Sequence, residues 1–264
     1  RRQRQMCIRD RYDSPYVDVD MVCCHHNLLQ QLCLAHTIAC PNLTNYVRKR
    51  EEHLTGVMNY YGVSRDDAKG LFLALLYGGG VMEWVRRLKE DEKPVKELSD
   101  FEYHYAIKPF KDEMANIFTL ILTKYPDLVK KTEKAVKEAK KYNPDASMVS
   151  YLLQAFEDLI LQHVYTFFRE KKVIATEGDC VLCWDGMMIK KESFKIEMLD
   201  ALSRYINDKT GFITKFEVKG FDLDVWSQLK DMVAQDEEEE IDPAVLAEIE
   251  LKSRQRFDRE YFQS

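Results

Sequence analysis

CVLCWDGMMI, residues 180–189, reads as two short apolar strands meeting at Asp185-Gly186. Asp-Gly between strand-forming residues is a strong hairpin signal, because the tight turn needs backbone angles that these two residues adopt cheaply. A partner for the hairpin is legible far upstream. YVDVD, residues 16–20, alternates: Val17 and Val19 share one face, while Tyr16, Asp18 and Asp20 share the other. That pattern predicts a short strand with its acids on the open side of a sheet. Residues 213–219 read as a further strand.

Helices fill the space between. One is expected over 27–36. Pro41 breaks the chain, and a long polar helix is expected over 43–61, ended by Gly62 as a C-cap. Ser64 is placed to N-cap the next helix, with Asp67 three residues on, close to a capping box. In that helix Ala68, Phe72, Leu75 and Leu76 form an apolar stripe. Arg65, Lys69, Leu73 and Tyr77, each four apart, drift along another side. Gly78–Gly80 stops the helix. The charged stretch 89–100, with Pro94, reads as a loop, and 101–141 as helical. Asn143-Pro144-Asp145 reads as a turn. A long buried helix is expected over 147–171 and an amphipathic one over 193–207. A few strands among many helices imply an α+β layer arrangement.

The termini read differently from the middle. The chain has 264 residues and a net charge of −6. Residues 1–11, RRQRQMCIRDR, carry +4 and resemble translated sequencing-adapter read-through, so they are expected to be a non-native scar, with the chain a fragment. Residues 221–241 read as an acidic linker, and 236–240 are all acidic. Asp242-Pro243 is set to start a last helix over 242–264, as N-cap and first residue, which would open a further module. An acidic chain is not a simple electrostatic nucleic-acid binder, so a nucleic-acid role has to rest on a local site. The seven cysteines are scattered, which suits reduced thiols in an intracellular setting rather than a secreted disulfide framework. No apolar run of about 18 residues marks a membrane span.

Chemistry converges on three pieces. Asp18 and Asp20 lie on one strand face, Asp185 at a hairpin tip, and Arg65 and Lys69 along a helix ending Tyr77-Gly78. Hard divalent cations favour carboxylate oxygens, and Mg²⁺ commonly combines one or two carboxylates with substrate phosphates. A triphosphate also needs positive donors, Arg as a fork and Lys as a point charge.

The spacing Arg65-x3-Lys69-x7-Tyr77-Gly78 resembles the fingers-helix motif of family A DNA polymerases and single-subunit phage-type RNA polymerases. The strand bearing Asp18 and Asp20 is similar to that family's first palm motif, and Trp184-Asp185 to the hairpin motif that in the family reads His-Asp. Order and separation are closest to polymerase-like modules of large DNA viruses and related replication proteins, over about residues 14–220. The resemblance implies a palm, a small antiparallel sheet with helices, carrying an inserted helical fingers region over residues 12–220. It implies template-directed nucleotidyl transfer in replication, with two Mg²⁺ held by Asp18 (Asp20 as the alternate) and Asp185. Arg65 and Lys69 would grip the nucleoside triphosphate, and Tyr77 and Gly78 would sit at the nascent base pair. Leu73 falls where the DNA polymerases often carry an aromatic that senses the sugar. Gln154 and Trp184 would meet the primer-template, and Glu157 is a further candidate. A primase or helicase module is the implied partner. A viral source would place the chain in host cytoplasm or nucleus.

Competing readings stay open at this point. Trp184 in place of His, and Cys23 where many of those DNA polymerases carry Glu, fit a catalytically inactive scaffold or nucleic-acid-binding module of a primase-helicase. Arg65 and Lys69 also fit a solvated helix face, and Asp185 a plain turn residue. The lysines of 130–141 fit either a template contact or a solvated helix with paired glutamates. Cys23-Cys24-His25-His26, Cys33/His36/Cys40 and Cys180-x-x-Cys183 suggest a zinc-dependent interaction module, but adjacent ligands point about 100° apart on a helix. His25 is expected to be a buried helix residue packing behind the palm.

Overall fold

The computed structural model describes residues 16–96, 104–138, 143–183 and 185–219. The expected scar, acidic linker, final helix and Trp184 lie outside them. Four strands form one antiparallel sheet in the order β2-β3-β1-β4. They are β1 (Tyr16–Met21), β2 (Cys180–Cys183), β3 (Gly186–Lys190) and β4 (Phe216–Lys219). The hairpin signal holds: Cys183 pairs with Gly186, so Asp185 lies in the turn between β2 and β3. β1 occupies the interior of the sheet, with Val17 opposite Ile189 and Val19 opposite both Met187 and Val218. These apolar residues share one face and join the hydrophobic core. Tyr16, Asp18 and Asp20 share the other.

That second face is not open. Asp18 is 7% exposed and Asp20 4%. Alternation assigns side chains to faces and says nothing about what covers a face, so the expectation of solvated acids is corrected here.

The helices are α1 (Cys24–Ala35), α2 (Pro41–Arg48), α3 (Arg50–Tyr61), α4 (Arg65–Leu76), α5 (Val81–Glu90), α6 (Ile107–Leu122), α7 (Pro126–Glu138), α8 (Pro144–Glu170) and α9 (Met198–Thr210). The expected helix over 43–61 is two helices. Pro41 opens the first, where a missing N–H costs nothing. Lys49 leaves helical geometry at φ −122°, and Glu51 and Glu52 then occupy the first turn of α3, where acids are favoured. Residues 101–141 likewise divide at Pro126, the first residue of α7. Asn143 is not a turn residue but the N-cap of α8: its side chain accepts from the Ala146 amide at 3.1 Å, with Pro144 following. α5 reaches Glu90 into the stretch expected to be a loop, and α9 begins five residues later than the pattern suggested, after a short 3₁₀ turn at Lys191–Ser193.

α8 is the hub of the helical layer and packs against α1, α6, α7 and α9. α4 buries Ala68, Leu71, Phe72, Leu75 and Leu76, and Phe72 stacks on Tyr46 of α2 with ring centroids 4.2 Å apart. Each of the larger side chains so buried contributes roughly 1.5–3 kcal/mol. Gly62 closes α3 at φ +68°, as its place in the sequence indicated.

The start of α4 is fixed by a reciprocal cap. The Asp67 amide donates to Ser64 Oγ at 3.1 Å, the Ser64 hydroxyl donates to Asp67 Oδ2 at 2.5 Å, and Lys93 Nζ reaches Asp67 Oδ1 at 2.5 Å. Burial works to raise the Asp67 carboxyl, but Lys93 and Ser64 outweigh it and hold the group below the usual aspartate range. A depressed folded value adds stability that is present above the unfolded value and lost as pH falls through the folded one. Stability should therefore decline below about pH 4. Asp67→Asn should lower the unfolding free energy at pH 7 by roughly 1–3 kcal/mol and flatten the acid limb. Urea titrations of both proteins from pH 7 to pH 3 measure this.

Candidate active site

The sheet gathers carboxylates at one end. Asp20 pairs with Gly186 across β1 and β3. A Cβ on Gly186 would stand 2.6 Å from the Val19 carbonyl oxygen and 2.9 Å from Asp20 Oδ1, so only glycine lets the hairpin approach β1 this closely. The Met21 amide then donates to the Asp185 carbonyl at 3.0 Å and pins the turn against the end of β1. The Asp185 carboxyl is raised above the usual aspartate range. Burial is the largest cause; its own backbone amide and His25 pull the other way, while Glu157 and Asp18 add negative charge. Two acids from distant parts of the sequence therefore feel each other here. Asp20 differs: its carboxylate is ion-paired with Lys219 Nζ on β4.

A second set of groups meets Asp185 from the helical layer. Glu157 lies midway along α8 and accepts from His25 Nε2 at 2.9 Å. A carboxylate can only accept, so Nε2 carries the proton, and Nδ1 is left to accept from the Tyr77 hydroxyl. Tyr77 is the C-cap of α4. Burial raises its phenol, the nearby Glu157 and Cys24 charges add to that, and Ser150 opposes it. A hydrogen-bonded chain thus runs from the end of α4 through His25 to Glu157, which lies within electrostatic reach of Asp185.

Gly78 follows Tyr77 at φ +73°, and a Cβ there would stand 2.4 Å from Asn143 Nδ2 and 3.0 Å from the Ala146 side chain. The glycine at this position serves both the left-handed turn and the close approach of α8. Gln154, three residues before Glu157, is exposed and donates to Ser150 Oγ at 2.9 Å. Leu73 is 45% exposed.

Arg65 and Lys69 are not part of the chain. Arg65 forks onto Glu51 of α3, Nε to Oε2 at 2.9 Å and Nη2 to Oε1 at 2.5 Å. Lys69 Nζ sits 3.1 Å from Asp66 Oδ1. Arg65 is still within electrostatic reach of Glu217 on β4, which lies directly opposite Asp20. α4 therefore brings its cationic start within electrostatic reach of Glu217 and its tyrosine end to His25.

His25 corrects one sequence reading. It does not pack behind the sheet; that role falls to His26, 6% exposed, with Nε2 3.2 Å from the Phe72 carbonyl and its ring 4.8 Å from Tyr46. The helical offset of 100° sends one histidine to the core and its neighbour to the cluster. Because α1 begins at Cys24, its Sγ, the His25 ring and the Glu157 carboxylate come together. Of the other suggested zinc ligands, His36 Nε2 is 3.0 Å from the Tyr125 hydroxyl, and Cys33 and Cys40 are buried in the core.

No family model matches this chain. It is similar to a protein of Sputnik virophage that is named as a helicase (V13), at 32% identity over 208 residues, which is 77% of this chain. The chain spans about a quarter of that protein, 24% of its length. No helix among the described residues is long and apolar enough to cross a membrane.

Proposed function

We propose that this chain is a polymerase-like module of a viral replication protein, a palm with a helical fingers insertion that performs template-directed nucleotidyl transfer. The observation that supports the reading is the electrostatic reach of Asp18 to Asp185, from parts of the chain far apart in sequence, with Tyr77 at the end of α4 bonded to His25 nearby. The donor set there suits a hard cation. It is all carboxylate, and Asp185 is raised in part by surplus negative charge that a dication would offset. Asp18 and Asp185 are the residues assigned to two Mg²⁺, with Asp20, already balanced by Lys219, as the alternate. Bound there, the ions would activate a 3′-hydroxyl and stabilise the departing pyrophosphate.

The remaining roles belong to the chain's own side chains. Lys69 and Arg65 exchange Asp66 and Glu51 for the β- and γ-phosphates. Tyr77, held by His25, forms a fixed wall for the incoming base, and Gln154 faces the template. The name of the virophage relative supports a replication setting and a helicase module as a partner in a longer protein. The test is extension of a labelled primer-template by the purified chain with deoxy- or ribonucleoside triphosphates. Extension that needs Mg²⁺ is the expected result, and absence of extension with either sugar overturns the reading.

A second reading keeps its own observation. Both candidate cations, Arg65 and Lys69, are already paired with acids of the chain. That arrangement suits a non-catalytic scaffold or nucleic-acid-binding module of a primase-helicase. Tight binding of the same primer-template without extension would favour it.

A further inference from the structure

Beside the carboxylates lies a donor set of different character. Cys24 Sγ, a ring nitrogen of His25 and a carboxylate oxygen of Glu157 all lie within 4.8 Å of one another. Zinc-type bonds of about 2.0–2.3 Å place neighbouring ligand atoms of a tetrahedral ion roughly 3.5 Å apart. Small side-chain adjustments therefore suffice to close these three donors on one ion. We propose that Cys24, His25 and Glu157 form a binding site for a borderline-soft divalent cation of the Zn²⁺ class, separate from the all-carboxylate Mg²⁺ site.

The chemistry of the donors selects the ion. Mg²⁺ dehydrates reluctantly and takes oxygen, whereas mixed sulfur, nitrogen and oxygen ligands select Zn²⁺ and its neighbours. Three protein ligands leave a fourth position for water or a substrate oxygen. Burial first, and then the negative charge of Glu157 and Asp185, push the Cys24 thiol up, and a dication bound there would offset that negative charge. The outer shell is also present. His25 has Tyr77 on Nδ1, and metal-bound histidines commonly use their second nitrogen in this way.

In the metal-free protein Nε2–H donates to Glu157, and Nδ1 accepts from Tyr77. On binding, the ring proton moves to Nδ1 and donates to the Tyr77 oxygen. The Tyr77 hydroxyl turns to Ser150, already its hydrogen-bond partner. Nε2 is then free to bind the ion, and the Cys24 thiol proton leaves to solvent. The bound ion ties α1 to α8, with the end of α4 held through Tyr77.

The three donors follow no local spacing, because Glu157 is far in the chain from Cys24 and His25. The site stands whether or not the chain extends a primer.

Co²⁺ added to the metal-free chain tests the proposal, since a thiolate on Co²⁺ gives a near-ultraviolet charge-transfer band. One equivalent should produce that band together with the visible absorption of a tetrahedral ion. Zn²⁺ should bleach both, and Mg²⁺ in large excess should not. Cys24→Ser should lose the band, Glu157→Gln should weaken binding by at least about tenfold, and Cys180→Ser should keep both the band and the affinity. Far-ultraviolet dichroism identifies any variant that has failed to fold; Glu157→Gln, which changes no volume, then carries the test. No band in the parent chain, an undiminished band in Cys24→Ser, or displacement by Mg²⁺ would overturn the site. None of these readouts involves nucleotide, so failure here and failure of primer extension are separate results.

Discussion

Asn in place of Asp185 removes Mg²⁺-dependent primer extension and leaves the protein at least as stable as before. The activity loss should exceed the roughly 10²–10³-fold typical of deleting one preorganised electrostatic group, because a metal ligand goes with the charge. The stability half of the prediction follows from the site's own electrostatics. The hydrogen bond that pins the turn uses the Asp185 carbonyl, which Asn retains. The carboxylate itself is half-buried and lies within electrostatic reach of Glu157 and Asp18, so its ionised form is disfavoured by burial and like charge. A neutral amide of the same shape relieves that penalty. Activity and stability then move in opposite directions, as expected where function keeps an unfavourable charge in place. Asp20→Asn is the contrasting arm. It strips the charge partner from Lys219, whose side chain is 40% exposed, so the melting temperature should fall only slightly and no gain in stability is expected. Melting curves beside extension assays on both variants measure the two effects. Full activity in Asp185→Asn would remove the catalytic assignment.

What could be read in advance follows from how local each signal is. The hairpin at Asp185-Gly186, the Ser64–Asp67 cap and the Gly62 stop are short-range chemistry, and each is present at its residue. The failures arise where the outcome depends on partners remote in sequence. Lys49 breaks a helix without Pro or Gly, and nothing within a few residues forbids continuing it. The burial of Asp18 and Asp20 depends on what covers their face, which alternation cannot report. His25 and His26 look interchangeable in the sequence, and only the packing of α1 against α2, α4 and α8 decides which enters the core. The candidate site was legible in its acids and in Tyr77. Its connecting groups, His25 with Glu157 and Lys219 with Asp20, belong to pairs 132 and roughly 200 positions apart, and no periodicity links residues at that range.

Lys69→Ala separates the catalytic reading from the scaffold reading. The stability effect should be small. The Lys69–Asp66 pair spans three residues on a helix surface, with Asp66 75% exposed, and such pairs contribute about 0–1 kcal/mol. Alanine also improves helix propensity slightly, so the melting temperature should hardly move. Activity is another matter if Lys69 leaves Asp66 for the triphosphate. An ammonium that offsets charge building on the β- and γ-phosphates is worth about two to three orders of magnitude. The loss should fall mainly in kcat, because that charge is greatest in the transition state and the ground-state contact is shared with Arg65. Single-nucleotide incorporation measured across nucleotide concentrations resolves kcat from KM. A variant with unchanged incorporation would mean that the cationic side of α4 is only a solvated face paired with its own acids.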